Sequence, residues 1–168
     1  ALPILNTTNG GNTATVGVRT DAFANNLVLA LPLVGVATDV SNQINSGSTE
    51  KVITTHGNAA PASDGQGMFY DTSFYLDGSG DYVETSNSSD FVVGTGDFTI
   101  ESWYNVAASQ GTNPRLFGQN TNNDTSWDCY LQGNPATGTS AIKMHGGSVD
   151  LGMSFPSANA WHHFCIAR

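Results

Sequence analysis

Short apolar runs recur from Val52 onward, set between stretches rich in Gly, Asn and Asp. They read VIT at Val52, MFY at Met68, FYL at Phe74, YV at Tyr82 and FVV at Phe91, then RLF around Leu116, CYL at Cys129 and AIKM at Ala141. Two longer ones, FTIESWYNV from Phe98 and WHHFCIA from Trp161, complete the set. The punctuation between them is NSGS, DGSG, GTGD, NTNND, GNPATG and HGG. Strands a few residues long between such turns predict an all-β chain, two antiparallel sheets packed as a sandwich. No window of eleven or more residues sustains a helical period, so very little helix is expected.

Alternation also sorts the side chains. In FTIESWYNV, Phe98, Ile100, Tyr104 and Val106 share one face with the small Ser102. Thr99, Glu101, Trp103 and Asn105 share the other, which suits a wet or ligand-facing surface. In WHHFCIAR, Trp161, His163, Cys165 and Ala167 alternate with His162, Phe164 and Ile166, and bulk on both faces predicts a strand covered on both sides. Phe98, Ile100, Tyr104, Leu76 and Phe164 are the expected core.

The first part of the chain is different. Residues 1–26 are rich in Thr, Asn and Gly, including TTNGGNTAT from Thr7, and have little with which to bury a face. An extended N-terminal arm is expected there, ordered by a partner, with the folded body over residues 27–168. The segment LVLALPLVGVA, Leu27 to Ala37, is too short to span a membrane and holds Pro32 at its centre. It reads as two buried strand pieces kinked at that proline.

Composition narrows the function classes. The net charge is −9, and the only cations are Lys51, Lys143, Arg19, Arg115 and Arg168. No basic cluster exists to drive phosphate binding, so nucleic acid is excluded as a partner and membrane insertion is not expected. Charged residues make up 11% of the chain, well under the usual quarter or so, which leaves a neutral-polar surface. Cys129 and Cys165 have neither metal-knuckle spacing nor disulfide density. They pair across neighbouring strands or stay as two buried free thiols, the second being the plainer reading.

The phrases FYLDGSGDYVE, SSDFVVGTGDFTIESWYNV, RLFG and WHHFCIAR together resemble the laminin G-like, concanavalin A-like jelly roll. More narrowly, they resemble the version found in bacteriophage tail, fibre and capsid-associated proteins. The likeness runs over roughly Asn26 to Arg168, with LALPLVGVATDVSNQIN (Leu29 to Asn45) as the first strand and its Asp-x-Ser-Asn step. It implies a non-enzymatic virion structural protein with a lectin-like jelly roll for assembly or host attachment. The expected partners are other virion proteins, met through the arm, and a cell-surface glycan, within an oligomeric assembly. The alternative is a secreted carbohydrate-binding module, and a glucanase-like hydrolase is the third reading. Family members continue past the Trp-His-His strand with further closing strands, so the jelly roll is expected to lack its C-terminal strands within this chain and the gene product to extend beyond Arg168.

Candidate chemistry is sparse. Asp77 and Asp81 in DGSGD present oxygens at alternate positions, as calcium prefers, but lack the later Glu of a calcium loop. Asp-Gly is also a strong hairpin signal, and these acids are read as turn residues. No cofactor is expected. Calcium stays open, because relatives hold it at the sandwich rim and the loop NTNNDTSWD offers Asn122, Asn123, Asp124 and Asp128. The chain has three Glu (Glu50, Glu84, Glu101), and the Glu-x-Asp-x-x-Glu pattern of related glucanases is absent, so no catalytic residue is expected. His162 and His163 lie on opposite faces of their strand and make a poor joint metal site, with packing the expected role for at least one of them. Sugar contact is the remaining chemistry: Trp103 beside Glu101 could stack on a pyranose ring, and Trp127 with Asn122 and Asp124 could do likewise. Packing under loops is the other reading of both indoles.

Overall fold

Strands dominate and helix is scarce, as the alternation predicts. The computed structural model describes residues 8–9, 12–13, 21–63, 66–108, 114–119, 127–132, 141–145, 151–154 and 157–168. For 8–9, 12–13, 127, 132, 141–145 and 151–154 it describes the backbone alone. Among these residues helix is limited to one α-turn, α1 (Ser41–Ile44), and 3-10 turns at Ala24–Asn26 and Ser89–Phe91. The chain divides into two units, Ala1–Gly94 and Thr95–Arg168.

Among its described residues, the first unit holds three short antiparallel pairs. Strands β1 (Thr8–Asn9) and β2 (Asn12–Thr13) pair with each other. Strand β3 (Ile53–His56) pairs with β6 (Tyr82–Thr85), and β4 (Ala60–Pro61) with β5 (Phe74–Tyr75). Between β2 and β3, the described residues that are buried are polar: Asp39, Ser41 and Lys51. The Asp39 carboxylate, 2% exposed, accepts from the amides of Ala30 (3.0 Å), Ser41 (2.9 Å) and Lys51 (2.8 Å) and from the Ser41 hydroxyl (3.0 Å). Burial alone would raise its pKa, but these four donors outweigh it and hold the carboxyl below its ordinary range. Lys51, whose side chain is 6% exposed, donates to the carbonyls of Val28 (3.0 Å) and Thr49 (2.6 Å) and meets the Asp90 carboxylate at 2.7 Å. A buried charge is tolerable only when so satisfied.

The second unit is built on longer pairings. Strand β7 (Thr99–Asn105) runs antiparallel to β12 (Trp161–Ala167) over seven residue pairs, from Asn105 opposite Trp161 to Thr99 opposite Ala167. Mutual amide–carbonyl bonds between Phe98 and Arg168 (3.1 and 3.0 Å) extend the ladder. A four-stranded sheet in the order β11-β10-β9-β8 comprises β8 (Arg115–Gln119), β9 (Trp127–Gln132), β10 (Ala141–His145) and β11 (Leu151–Ser154). Its β8–β9 register shifts between Arg115 and Phe117. The apolar core lies where side chains of both sheets meet: Val106 and Phe164 against Cys129 and Leu131, with Tyr104, Ile166, Leu116 and Phe117 around them. The rings of Phe117 and Phe164 sit 5.3 Å apart, tilted by 55°.

Several expectations change. The arm expected over residues 1–26 lies mostly outside the described residues, which include there only β1, β2 and 21–26. Leu27–Ala37 forms no strand: Leu33 (φ 54°) and Gly35 (φ 74°) are left-handed, and the chain turns back so that Val40 donates to the Ala30 carbonyl at 2.9 Å. Met68–Tyr70 is a closed loop, because the Gly67 amide bonds the Asp71 carbonyl (3.2 Å) and Asp71 sits at φ 64°. At Gly67 an added Cβ would lie 2.4 Å from the Thr72 backbone, so no side chain fits there. FVV at Phe91 ends a 3-10 turn instead of forming a strand, and the β11 segment LGMS carried no apolar signal strong enough to single it out. Of the expected core, Phe164 is 4% exposed and Phe98, Ile100 and Tyr104 are half-buried, but Leu76 is 41% exposed. Strand β5 stops at Tyr75, so alternation no longer fixes the direction of Leu76. One face of β12 is wet, since His163, Cys165 and Ala167 are exposed.

The Asp39 knot predicts an acid-sensitive first unit. A carboxyl whose pKa is lower in the folded state contributes stability that is present above the ordinary value of 3.8 and is lost as the pH falls below it. Asp39→Asn is expected to unfold at lower urea than the parent at pH 7 and to lose less stability between pH 5 and pH 3, read by urea titration at each pH. A variant as acid-sensitive as the parent would show that other groups set the response.

Candidate functional site

The register of β7 against β12 assembles a polar-aromatic face from residues far apart in the chain. Trp103 lies opposite His163, and Glu101 opposite Cys165. Because side chains alternate, all four project from the side away from the core, and all are exposed. The Trp103 indole is 42% exposed and its rings stand 5.1 Å from the His163 imidazole, tilted by 41°. His163 Nε2 lies 3.4 Å from Glu101 Oε2. Thr99 and Asn105 extend the same face along β7. The arrangement offers an aromatic plane beside a carboxylate and an imidazole, which can accept and donate hydrogen bonds at its edge. It contains the predicted pair Trp103 and Glu101.

His163 was not assigned to that pair by sequence reading. Alternation put it on the face of Trp161 and Cys165, but nothing local pairs β12 with β7. Its neighbour His162 turns inward, where its ring meets that of Tyr104 at 5.9 Å and Nε2 meets the Ser157 carbonyl at 2.8 Å. That contact is packing.

The other predicted residues do not join the face. Asn122 and Asp124 lie outside the described residues, and Trp127 begins β9 with only its backbone described. Asp128, a proposed calcium ligand from the same loop, pairs with Arg115 Nε at 2.8 Å. Among the described residues no group of three His, Cys, Asp or Glu side chains stands together as a metal site.

Asp77 and Asp81 are turn residues by their contacts. Asp81 accepts from the amides of Asn58 (2.7 Å) and Asp77 (2.9 Å), and Asp77 accepts from that of Ser79 (2.7 Å). The Asp77 amide is the main cause that lowers the Asp81 pKa. Gly78 and Gly80 take φ 81° and 80°, the conformation that glycine enters freely. The hairpin expected from Asp-Gly does not form, since β5 and β6 pair with different strands.

A family model described as the concanavalin A-like lectin/glucanases superfamily matches residues 77–168, more than half of the chain. The chain belongs to the concanavalin A-like lectin/glucanases superfamily. The match contains all of β7 and β12, hence the whole of the Trp103 face. Membership in the superfamily supports a lectin-like or carbohydrate-binding domain. No curated protein and no solved structure matches the chain.

The cysteines are both free, and they differ: Cys129 is buried in the core and Cys165 is exposed beside Glu101. This corrects the reading of two buried thiols. Burial, with help from the Asp128 charge, pushes the Cys129 thiol up to about 11, which suppresses the reactive thiolate. Iodoacetamide at pH 8 is expected to alkylate Cys165 in the native protein and Cys129 only after denaturation, read by peptide mass spectrometry. Native alkylation of Cys129 would contradict its place in the core.

Proposed function

We propose that the protein is a non-enzymatic, lectin-like module that binds neutral carbohydrate through the outer face of β7 and β12. The observation that carries this reading is the exposed Trp103 indole held against His163, with the Glu101 carboxylate beside it. A pyranose has apolar C–H faces that pack on an indole and a rim of hydroxyls that need donors and acceptors. Indole, carboxylate and imidazole supply both. The net charge of −9 favours uncharged glycans over sulfated or sialylated ones.

Binding without turnover fits the acids available. Glycoside cleavage uses a pair of carboxyl groups flanking the bond. Glu101 is the only acid within β7, and among the described residues its carboxylate approaches the His163 imidazole. We further read the β7–β12 pair and the four-stranded sheet as parts of the two layers of a jelly-roll sandwich, which the Phe117–Phe164 contact between them supports. The likeness of FYLDGSGDYVE and GTGDFTIESWYNV to phage appendage proteins supports a place in a virion, with residues 1–26 attaching the body to other virion proteins. Proteomics of purified particles tests that setting. Finding the protein in the medium and not in particles would favour a secreted module instead.

Binding is tested on a glycan array, followed by calorimetry with the best neutral oligosaccharide. Trp103→Ala is expected to weaken binding by about tenfold or more, the equivalent of roughly 1.4 kcal/mol, with the unfolding midpoint nearly unchanged. Repeating the titration in EDTA tests calcium, and undiminished affinity is expected. Unaltered affinity in Trp103→Ala, or release of reducing sugar from the oligosaccharide, would overturn the reading.

A further inference from the structure

The first unit carries a face of the same chemistry on strands that the function proposed above does not use. The β3–β6 register sets His56 opposite Tyr82 and Thr54 opposite Glu84, and alternation places all four on one side. The His56 and Tyr82 rings are stacked, 4.2 Å apart and within 9° of parallel. His56 Nε2 lies 2.8 Å from Glu84 Oε1. Tyr82 is 47% exposed, and Thr54 and Glu84 are exposed too. Aromatic ring, imidazole and carboxylate recur here as at Trp103, His163 and Glu101, with tighter geometry.

A cross-strand aromatic pair stabilises a sheet whether or not it binds anything. Two features point further. The stack covers one side of the phenol ring, yet Tyr82 stays 47% exposed, with Glu84 next on the same face of β6 and Thr54 opposite Glu84 on β3. The pair is also clamped: Asp81, the residue before Tyr82, accepts from the amide of Asn58, two residues past His56. The approach is so close that a Cβ on Gly57 would lie 2.1 Å from Asp81 Oδ1. An exposed ring fixed in place loses little freedom when a ligand settles on it.

We infer that the outer face of β3–β6 is a second carbohydrate-contacting site, with Tyr82 as the stacking plane, His56 as its backing, and Glu84 and Thr54 as hydroxyl partners. The ligand class rests on the function proposed above, and the site itself does not involve Trp103. With one oxygen held by His56, Glu84 keeps its other oxygen to accept from a sugar hydroxyl.

Calorimetry with the best neutral array oligosaccharide tests the site in four chains: the parent, Trp103→Ala, and Trp103→Ala combined with Tyr82→Ala or with Glu84→Gln. Glu84→Gln keeps size and shape, so it guards against a Tyr82→Ala chain that fails to fold, and unfolding midpoints are taken for each. The expected result is two sites per parent chain and one remaining in Trp103→Ala, weakened about tenfold or more by each added substitution. One site in the parent, abolished by Trp103→Ala, would overturn this inference and leave the Trp103 reading standing. Parent-like binding in Trp103→Ala, lost with Tyr82→Ala, would do the reverse. No binding by the parent to any array glycan would overturn both.

Discussion

The seven-pair antiparallel register between β7 and β12 is the constraint on which the second unit depends. Side chains alternate with period two, so a slip of one residue would exchange the two faces of β12. In the observed register Tyr104, Phe164 and Ile166 turn together toward Cys129, Leu131 and Phe117, and the core closes. The same register brings Trp103 and His163 side by side on the opposite surface. Core and candidate site are therefore fixed by one pairing. Removing Phe164 from the core would cost roughly 3–5 kcal/mol, the range for buried aromatic truncations, and a slipped register would forfeit that contact as well.

The first unit rests on different physics. Its buried described residues are an aspartate, a serine and a lysine, and they connect backbone rather than filling volume. Asp39 joins the segments at Ala30, Ser41 and Lys51 through their amides, while the Lys51 ammonium joins Val28, Thr49 and Asp90. Irregular chain such as residues 27–37 carries backbone donors and acceptors that no ladder satisfies, and these two side chains supply partners for several of them. A buried charge with complete partners tolerates few alternative arrangements, and loss of one partner leaves the other uncompensated. Polar saturation here fixes a conformation that apolar packing would leave loose.

These two kinds of order were not equally legible in the sequence. Period-two alternation in FTIESWYNV and WHHFCIAR told which side chains share a face, because that follows from strand geometry alone, and Trp103 and Glu101 were placed correctly on a wet surface. Which strand lies beside which is not a local property. The β7–β12 pairing spans the intervening strands β8 to β11, so His163 could not be assigned to Trp103 in advance. Runs of two or three apolar residues carried less information: FYL gave a two-residue strand and an exposed Leu76, and MFY gave a loop. Asp39 and Lys51 gave no pattern at all, since a satisfied buried ion is defined by amides that only the fold brings near. The turn at Asp77–Asp81 was legible through its glycines, but its partner in the β3–β4 connection, the Asn58 amide, was not.

An aromatic side chain on an exposed sheet face gains less from folding than one in the core. Burying one fully contributes about 1.5–3 kcal/mol, more than the roughly 0.2–1 kcal/mol of a cross-strand pair on the surface, so Trp103 and Tyr82 leave part of that stabilisation unused. Each stands instead beside an imidazole that is paired with a glutamate, His163 with Glu101 and His56 with Glu84. An exposed side-chain contact of this kind contributes little to stability, about 0–1 kcal/mol even between full charges. What the pair does achieve is orientation: it directs a carboxylate beside a ring and limits the ways both can move. A ring plane with a directed acceptor at its edge matches the two-sided character of a sugar, apolar on its faces and polar around its rim. Two units that depend on unlike interiors thus present the same surface chemistry, an exposed ring beside an imidazole and a glutamate, and the carbohydrate-binding function proposed for the Trp103 face gives that recurrence one reason.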